Sequence, residues 1–474
     1  MRRWHKVGAG AGVVLIVVLG YGTLDVYDVV PGVLTLQDAP QPPVPEPGHA
    51  AAAAKSVKPP AAPPSPSVLP ALEGAEPTAA RIKAITAGPL ASKNLTSTVA
   101  VTVRDATTGA HLLDRGANKA VTPASVTKLL SAWAIANTMN LSKPLTTKVV
   151  AGATGHVVLV AGGDTALSPG RGNPNKVDGH AGLADLAAQV AEKVKAAGRS
   201  TVIVDYDTSY APGPFAVPGW SPDFLSVGYT TRIAQLGLSI ERADPPRPAA
   251  ANPNVDTQRA LVKDLSAQGL TVRTGAKVRA AADAAVLGKV ESSPLIDVLG
   301  MALQDSDDAM VESLTRQAAF ADGVAGDNAS VTHWVVRTLT KAGFDMAGVH
   351  LGDVCGLAEG TTIPVRVLGD VLTSGTSGHN PAFQEVLSRL PVGGWNGTLD
   401  DRFLQVTNSS AAGWVRAKTG SLNLVSSLAG TVVDKDGRLL VFAIIANGAF
   451  PDGVWATRAA IDNIVADLAK CGCS

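Results

Sequence analysis

Hydrophobic and polar positions change rhythm along the chain, and each rhythm predicts a different element. Residues 7–24 form an almost unbroken apolar run behind Arg2, Arg3 and Lys6. The run is near the lower limit for a membrane span, and its positive flank places the N-terminus inside. Gly20-Tyr21-Gly22 matches a small-x-small cleavage site poorly. That favours an uncleaved anchor over a removed signal peptide, and either one predicts export. From 37 to 77 the pattern dissolves into proline and alanine, with Pro40, Pro42, Pro43, Pro45, Pro47, Pro59-Pro60 and Pro63-Pro64. This reads as an extended, semi-rigid tether. Order is expected from about Ala79.

Strict alternation over 97–105, with Val99, Val101 and Val103 on one side, predicts a strand. Ala106-Thr107-Thr108-Gly109 reads as a turn and 110–115 as the returning strand. A helix is expected from Ser125, with Leu129, Leu130, Trp133 and Ile135 as its apolar stripe. Residues 156–160 form an apolar strand ending in Gly162-Gly163-Asp164-Thr165. Helical periodicity follows over 182–197, a strand over 201–204, a helix over 255–268 and a strand over 270–274. Between 206 and 232 prolines, glycines and aromatics predict a long packed loop near a functional cleft. The pattern over 295–317 is helical but broken around Asp305-Ser306-Asp307-Asp308, and a further helix is expected over 330–342. A strand edge at 415–418 stops at Thr419-Gly420. Residues 425–433 and 438–445 then read as two strands joined by Asp434-Lys435-Asp436-Gly437, and a last helix spans 454–468. Strands near both ends with helices between them predict one α/β domain built from 79–155 and 293–474, interrupted by an inserted domain over 156–292. Before it lie a membrane segment (1–36) and a linker (37–78).

Composition narrows this picture. The 474 residues are 46% hydrophobic, enough for two or more cores. Net charge is zero, so no basic excess points to nucleic acid. The eight histidines form no His-x-x-x-His or similar spacing, so no metal site is expected. Cys355, Cys471 and Cys473 allow one disulfide in an oxidising compartment. Cys471 and Cys473 sit close for pairing with each other, which favours Cys355 with one of them; three inert thiols are the alternative.

Candidate chemistry lies in three short stretches. Ser125 and Lys128 are three positions apart at a helix start, where i and i+3 share a face. A lysine whose charged form is disfavoured can serve as base for a serine nucleophile. Taken alone this pair is a weak signal, more readily read as an exposed first turn with a solvated lysine. Ser306-Asp307-Asp308 and Lys418-Thr419-Gly420 follow downstream. Ser306-Asp307-Asp308 can also be a simple helix cap, and the lysine stretch a strand end. Their order, on helix start, loop and edge strand, argues for chemistry. Ser125 would attack a carbonyl and Lys128 would take its proton. Ser306 would relay the proton to the leaving amine. Lys418 would attract a terminal carboxylate and, by its charge, favour neutral Lys128. Asp308, Thr419, Gly420 and Ser421 would contact substrate, and the N–H groups of Ser125 and Ser421 would form an oxyanion hole.

The trio resembles the signature of penicillin-binding proteins and class A β-lactamases, whose middle member is Ser-Asp-Asn. Further stretches resemble the class C low-molecular-mass penicillin-binding proteins, the D-alanyl-D-alanine carboxypeptidase/endopeptidases. They are Thr122 through Lys128, Gly162-Gly163-Asp164-Thr165-Ala166-Leu167, Leu390 through Leu399, Ala417 through Leu422 and Val425 through Gly430. The resemblance implies a transpeptidase/β-lactamase-like domain, an antiparallel sheet flanked by helices, with an insertion between the first two motifs. That insertion is shorter than in the longest members, which implies a reduced or missing further subdomain.

Two departures stand out. Asp308 replaces the usual asparagine; a carboxylate cannot donate a hydrogen bond unless protonated, and it stabilises a charged Lys128. Asp353-Val354-Cys355-Gly356-Leu357 stands where the family shows Asp-Gly-Ser-Gly-Leu, which suits Cys355 as a disulfide partner. The leading expectation is an exported serine DD-peptidase, anchored by residues 7–24 and needing no cofactor. It would cleave D-Ala-D-Ala termini, with D-Ala cross-links as a second substrate, on peptidoglycan stem peptides through acyl-Ser125. β-Lactams would be covalent inhibitors. A β-lactamase and a non-catalytic peptidoglycan-binding scaffold are the rivals, the latter motivated by Asp308.

Overall fold

The computed structural model describes residues 74–96 and 98–472. The anchor expected over 7–24 and most of the expected linker lie outside the described residues. Among the described residues no helix is long and apolar enough to cross a membrane. The strands, in chain order, are β1 (Thr98–Asp105), β2 (His111–Arg115), β3 (Ala120–Val121), β4 (Pro144–Ala151), β5 (His156–Val160) and β6 (Thr201–Asp207). There follow β7 (Thr271–Lys277), β8 (Val286–Pro294), β9 (Ile363–Pro364), β10 (Val415–Leu422), β11 (Val425–Val433) and β12 (Leu439–Asn447).

The first sheet has the order β10-β11-β12-β1-β2 and is antiparallel throughout. It joins the two ends of the folded chain, because β1 pairs with β12 from Thr98↔Asn447 to Asp105↔Leu440. Side chains alternate across a strand, so this sheet feeds two cores. Val99, Val101 and Val103 of β1, with Phe442 and Ile444 of β12, pack under helices Ala79–Leu90 and Val454–Ala469. Ala100, Val441, Ala443 and Ile445 face the other way, onto helices Lys128–Thr138 and Val365–Thr376. The hairpin expected at 434–437 forms: Gly437, at φ +82°, closes a turn whose Asp434 N–H donates to the Arg438 carbonyl. Glycine suits that left-handed position because it lacks a Cβ.

A second sheet, β7-β6-β5-β4-β8, runs from Pro144 to Pro294 and mixes parallel and antiparallel pairs. Its apolar face, including Val157, Leu159, Val202 and Val204, buries against helices Leu183–Ala196 and Pro253–Ala267. Its first strand precedes His156. The bridge expected to Cys355 does not form: Cys355 is a fully buried free thiol in an apolar cluster with Trp220 and Leu357. Cys471 is disulfide-bonded, but not to Cys355.

Candidate active site

The serine segment is held from three sides. Pro123 approaches a single 3-10 turn, Ala124–Thr127, and the α-helix proper begins at Lys128. Ala124 sits at φ +53°, a left-handed conformation that costs an alanine energy. The surroundings impose it. Asn447 pairs with both the N–H and the carbonyl of Thr122, and the Ser427 hydroxyl donates to the Pro123 carbonyl at 2.6 Å. Gly356 lies so close that a Cβ there would stand 2.0 Å from the Ala124 oxygen. Within 123–130 every residue is buried except Ser125. The turn thus presents one hydroxyl to solvent.

Lys128 lies directly beneath it, wholly buried. Its Nζ donates to Ser125 Oγ at 2.9 Å, to Asp308 Oδ1 at 2.5 Å and to the Cys355 carbonyl at 2.9 Å. All three ammonium donors are therefore engaged. Burial alone would lower this lysine's pKa, but the Asp308 carboxylate reverses the sign and holds it above the usual lysine value. Burial in turn raises Asp308 above the ordinary carboxylate range.

Ser306 occupies the break between helices Leu295–Gln304 and Asp308–Ala321, at φ +57°. Arg242 clamps the break from outside, bonding Asp305 through Nη2 at 2.8 Å and Asp307 through Nε at 3.2 Å. Asp307 also caps the second helix by accepting from the Met310 N–H. Lys418, wholly buried, donates to Ser306 Oγ at 2.8 Å and to the Thr419 carbonyl. Burial first, and then the charge of Lys128, push Lys418 well below the ordinary lysine value. The site thus holds two buried lysines of opposite character, one kept charged and one driven towards the free amine.

The expected residues converge. Ser125, Ser306, Thr419, Gly420 and Ser421 line one cleft of about 320 Å³, with Lys128, Asp308 and Lys418 buried behind it. Gly420 is placed by contact: a Cβ there would meet Ser427 Oγ at 2.2 Å, the Pro123 oxygen at 2.8 Å and the Ser125 nitrogen at 3.0 Å. Gly420→Ala is therefore expected to push β10 off the serine turn. Acylation should fall roughly 100-fold, the scale of a 1 Å misplacement. Stopped-flow acylation beside a melting curve measures this, and unchanged acylation would refute it.

Sequence reasoning missed Tyr229, Thr398, Asp400, Asp401, Arg402 and Arg458, which also line the cleft. The aromatic-rich loop over 206–232 does deliver Tyr229. The Leu390 stretch delivers Thr398, which accepts from Thr419 Oγ1 at 2.8 Å. Gly162 and Gly163 serve packing instead: the Gly163 carbonyl accepts from Gln317 Nε2, away from the cleft lining.

Behind Lys128, Glu312, Asp353 and Cys355 bring three ligand-type atoms within 4.8 Å. They are already committed. Asp353 accepts from the N–H groups of Gly356, Leu357 and Ala358, from Trp220 Nε1 and from the Cys355 thiol. This shapes the turn that offers the Cys355 carbonyl to Lys128. Glu312 accepts from the Val354 N–H, and burial, then Asp353, push it up to about 8. It is therefore protonated at neutral pH. Its folded value lies above its unfolded one, so its contribution to stability is complete below about pH 4.5 and is lost as pH rises through about 8. Glu312→Gln stays neutral throughout, and its melting temperature is expected to fall less than wild type between pH 5 and 9. Equal slopes would contradict this.

A serine hydroxyl hydrogen-bonded to a buried lysine, beside a second serine–lysine couple at the edge of an antiparallel sheet flanked by helices, is an arrangement suited to serine-type hydrolysis on a transpeptidase/β-lactamase-like fold. Comparison with known proteins narrows the class. The pattern of the D-Ala-D-Ala carboxypeptidase 3 (S13) family matches residues 82–246 and 236–469. Carboxypeptidase DacB of Mycolicibacterium smegmatis is 35% identical over 429 residues, 88% of this chain and 90% of that protein. Carboxypeptidase Rv3627c of Mycobacterium tuberculosis is 34% identical over 441 residues, 90% of this chain and 92% of that protein. The crystal structure of penicillin binding protein 4 (dacB) from Haemophilus influenzae shares the fold, with a TM-score of 0.65 and 18% identity over 82% of this chain and 98% of that one. The chain belongs to the D-Ala-D-Ala carboxypeptidase 3 (S13) family, a class C low-molecular-mass penicillin-binding protein and serine-type carboxypeptidase.

Proposed function

We propose that Ser125 is the nucleophile of this carboxypeptidase and that its substrates are peptidoglycan stem peptides ending in D-Ala-D-Ala. The observation that carries the reading is Ser125 itself, the one residue of its turn with surface in the cleft, bonded at 2.9 Å to Lys128. Ser125 Oγ attacks the penultimate D-Ala carbonyl as its proton passes to the neutral form of Lys128. The N–H groups of Ser125 and Ser421 hold the oxyanion. The C–N bond then breaks. Ser306, hydrogen-bonded to Lys418, relays the proton that Lys128 took up to the departing amine, so that Lys128 and Ser306 return to their starting forms and D-Ala leaves behind an ester on Ser125. Water attacks the ester and restores the hydroxyl. β-Lactams enter by the same attack, and their amide nitrogen, still tethered to the acyl group, cannot diffuse away. D-Ala cross-links are a second substrate on this reading, because they present the same scissile carbonyl. The enzyme acts outside the cytoplasm, where peptidoglycan lies, held to the membrane by residues 7–24.

The test is to incubate the purified chain with a fluorescent penicillin and with a D-Ala-D-Ala pentapeptide. The adduct is located by mass spectrometry and free D-Ala is counted. An adduct on Ser125 with D-Ala release is expected. A folded chain giving neither would overturn the reading.

A further inference from the structure

The cleft needs a group that recognises the carboxylate carried by the leaving residue, and the two buried lysines are poorly placed for it. Lys128 and Lys418 have no exposed surface, and their donors are turned onto Ser125, Asp308, Ser306 and backbone carbonyls. The cationic residues that do line the cleft are Arg402 and Arg458. Arg402 is already used, holding Asp462 through both Nε and Nη2 in a buried pair. Arg458 is different. Its Nη2 donates to Ser421 Oγ at 3.0 Å, yet its Nε is buried with no acceptor. Among the described residues it has no ion-pair partner, although Asp400 and Asp401 line the same cleft.

We propose that Arg458 is the specificity residue that receives the substrate's carboxylate, an inference that rests on Ser125 being the acylated residue of this cleft. Its guanidinium lies 4.7 Å over the ring of Trp455, itself a largely exposed side chain. Stacking holds the planar fork in one orientation, so little freedom is lost when a carboxylate docks. The fork bonds a carboxylate with two parallel N–H groups, which a lysine point charge cannot reproduce. Ser421 supplies the link to the reaction: its hydroxyl bonds Arg458, and its N–H belongs to the strand edge beside Ser125. A carboxylate seated on Arg458 and the Ser421 hydroxyl therefore aligns the scissile bond along β10. Burial, and then the positive charge of Arg402, also depress the basicity of Arg458, an imbalance that an arriving anion relieves.

The experiment measures binding without turnover, in the Ser125→Ala chain, by calorimetry. The ligands are a D-Ala-D-Ala pentapeptide as its free acid and the same peptide as its C-terminal amide. With Arg458 present the acid should bind roughly 10- to 100-fold more tightly than the amide, the worth of a charge-assisted pair. Arg458→Gln is expected to erase that preference while leaving amide binding and the melting temperature nearly unchanged. Arg458→Lys, which keeps the charge and the stem against Trp455, should retain part of it, separating lost charge from lost packing. A folded Arg458→Gln chain that still prefers the acid, or a parent chain with no preference, overturns the inference. Penicillin labelling of Ser125 in the native chain judges the catalytic reading separately, so a failure of that reading is told apart from a failure of the Arg458 role.

Discussion

Ser125→Ala is expected to abolish both penicillin labelling and D-Ala release, with a loss on the order of 10⁴-fold or more, as when a hydrolase loses its nucleophile. The reason is local. Ser125 is the one surface residue of a turn that Thr122, Pro123 and Ala124 hold rigidly in place, and no neighbouring hydroxyl stands in its position over Lys128. Ser306 lines the same cleft, but its oxygen already accepts from Lys418. The variant should fold, because its hydroxyl is half-exposed and Lys128 keeps Asp308 and the Cys355 carbonyl as acceptors. Gel fluorescence, intact-mass spectrometry and a D-Ala assay on native and variant chains check this. An adduct that persists in the variant would place the nucleophile elsewhere.

Much of this site was legible because its residues come in short local motifs whose order on the chain carries information. The alternation of Val99, Val101 and Val103 likewise exposed the strand that anchors the sheet. What escaped has physical reasons. In β4 the buried Thr147 and the adjacent Lys148 dilute the apolar alternation. In β8 the buried positions include Gly288, Ser292 and Ser293, so no hydrophobic period marks it. Arg458 sits in a helix whose pattern explains it as a solvated residue; only the close approach of that helix to Ser421 gives it a task. Asp308 was visible as a departure from the family pattern. Its consequence depends on a distance that sequence does not carry.

That distance makes Asp308→Asn the most informative substitution in the buried half of the site. In the native chain a carboxylate 2.5 Å from Lys128 Nζ holds the lysine charged, above the ordinary lysine value. A charged lysine has no lone pair for the Ser125 proton, so acylation should keep climbing with pH into the alkaline range. An asparagine at 308 keeps an oxygen for the Nζ hydrogen bond but removes the negative charge. Burial then acts on Lys128 unopposed and favours the free amine. Acylation by penicillin between pH 7 and 8 is expected to rise about 10- to 100-fold, within the span a general base contributes, and the alkaline climb should move to lower pH. The same change should lower stability by at most roughly 3–5 kcal/mol, the cost of breaking a buried ion pair, because the lysine can shed its proton instead of remaining an unpaired charge. Second-order acylation rates from pH 6 to 10 for both chains measure this directly. If the variant's profile is unmoved and its rate no higher, Lys128 is not the base. The candidate base is then Lys418, bonded to Ser306 in the same cleft and already driven towards the neutral amine by burial and the charge of Lys128.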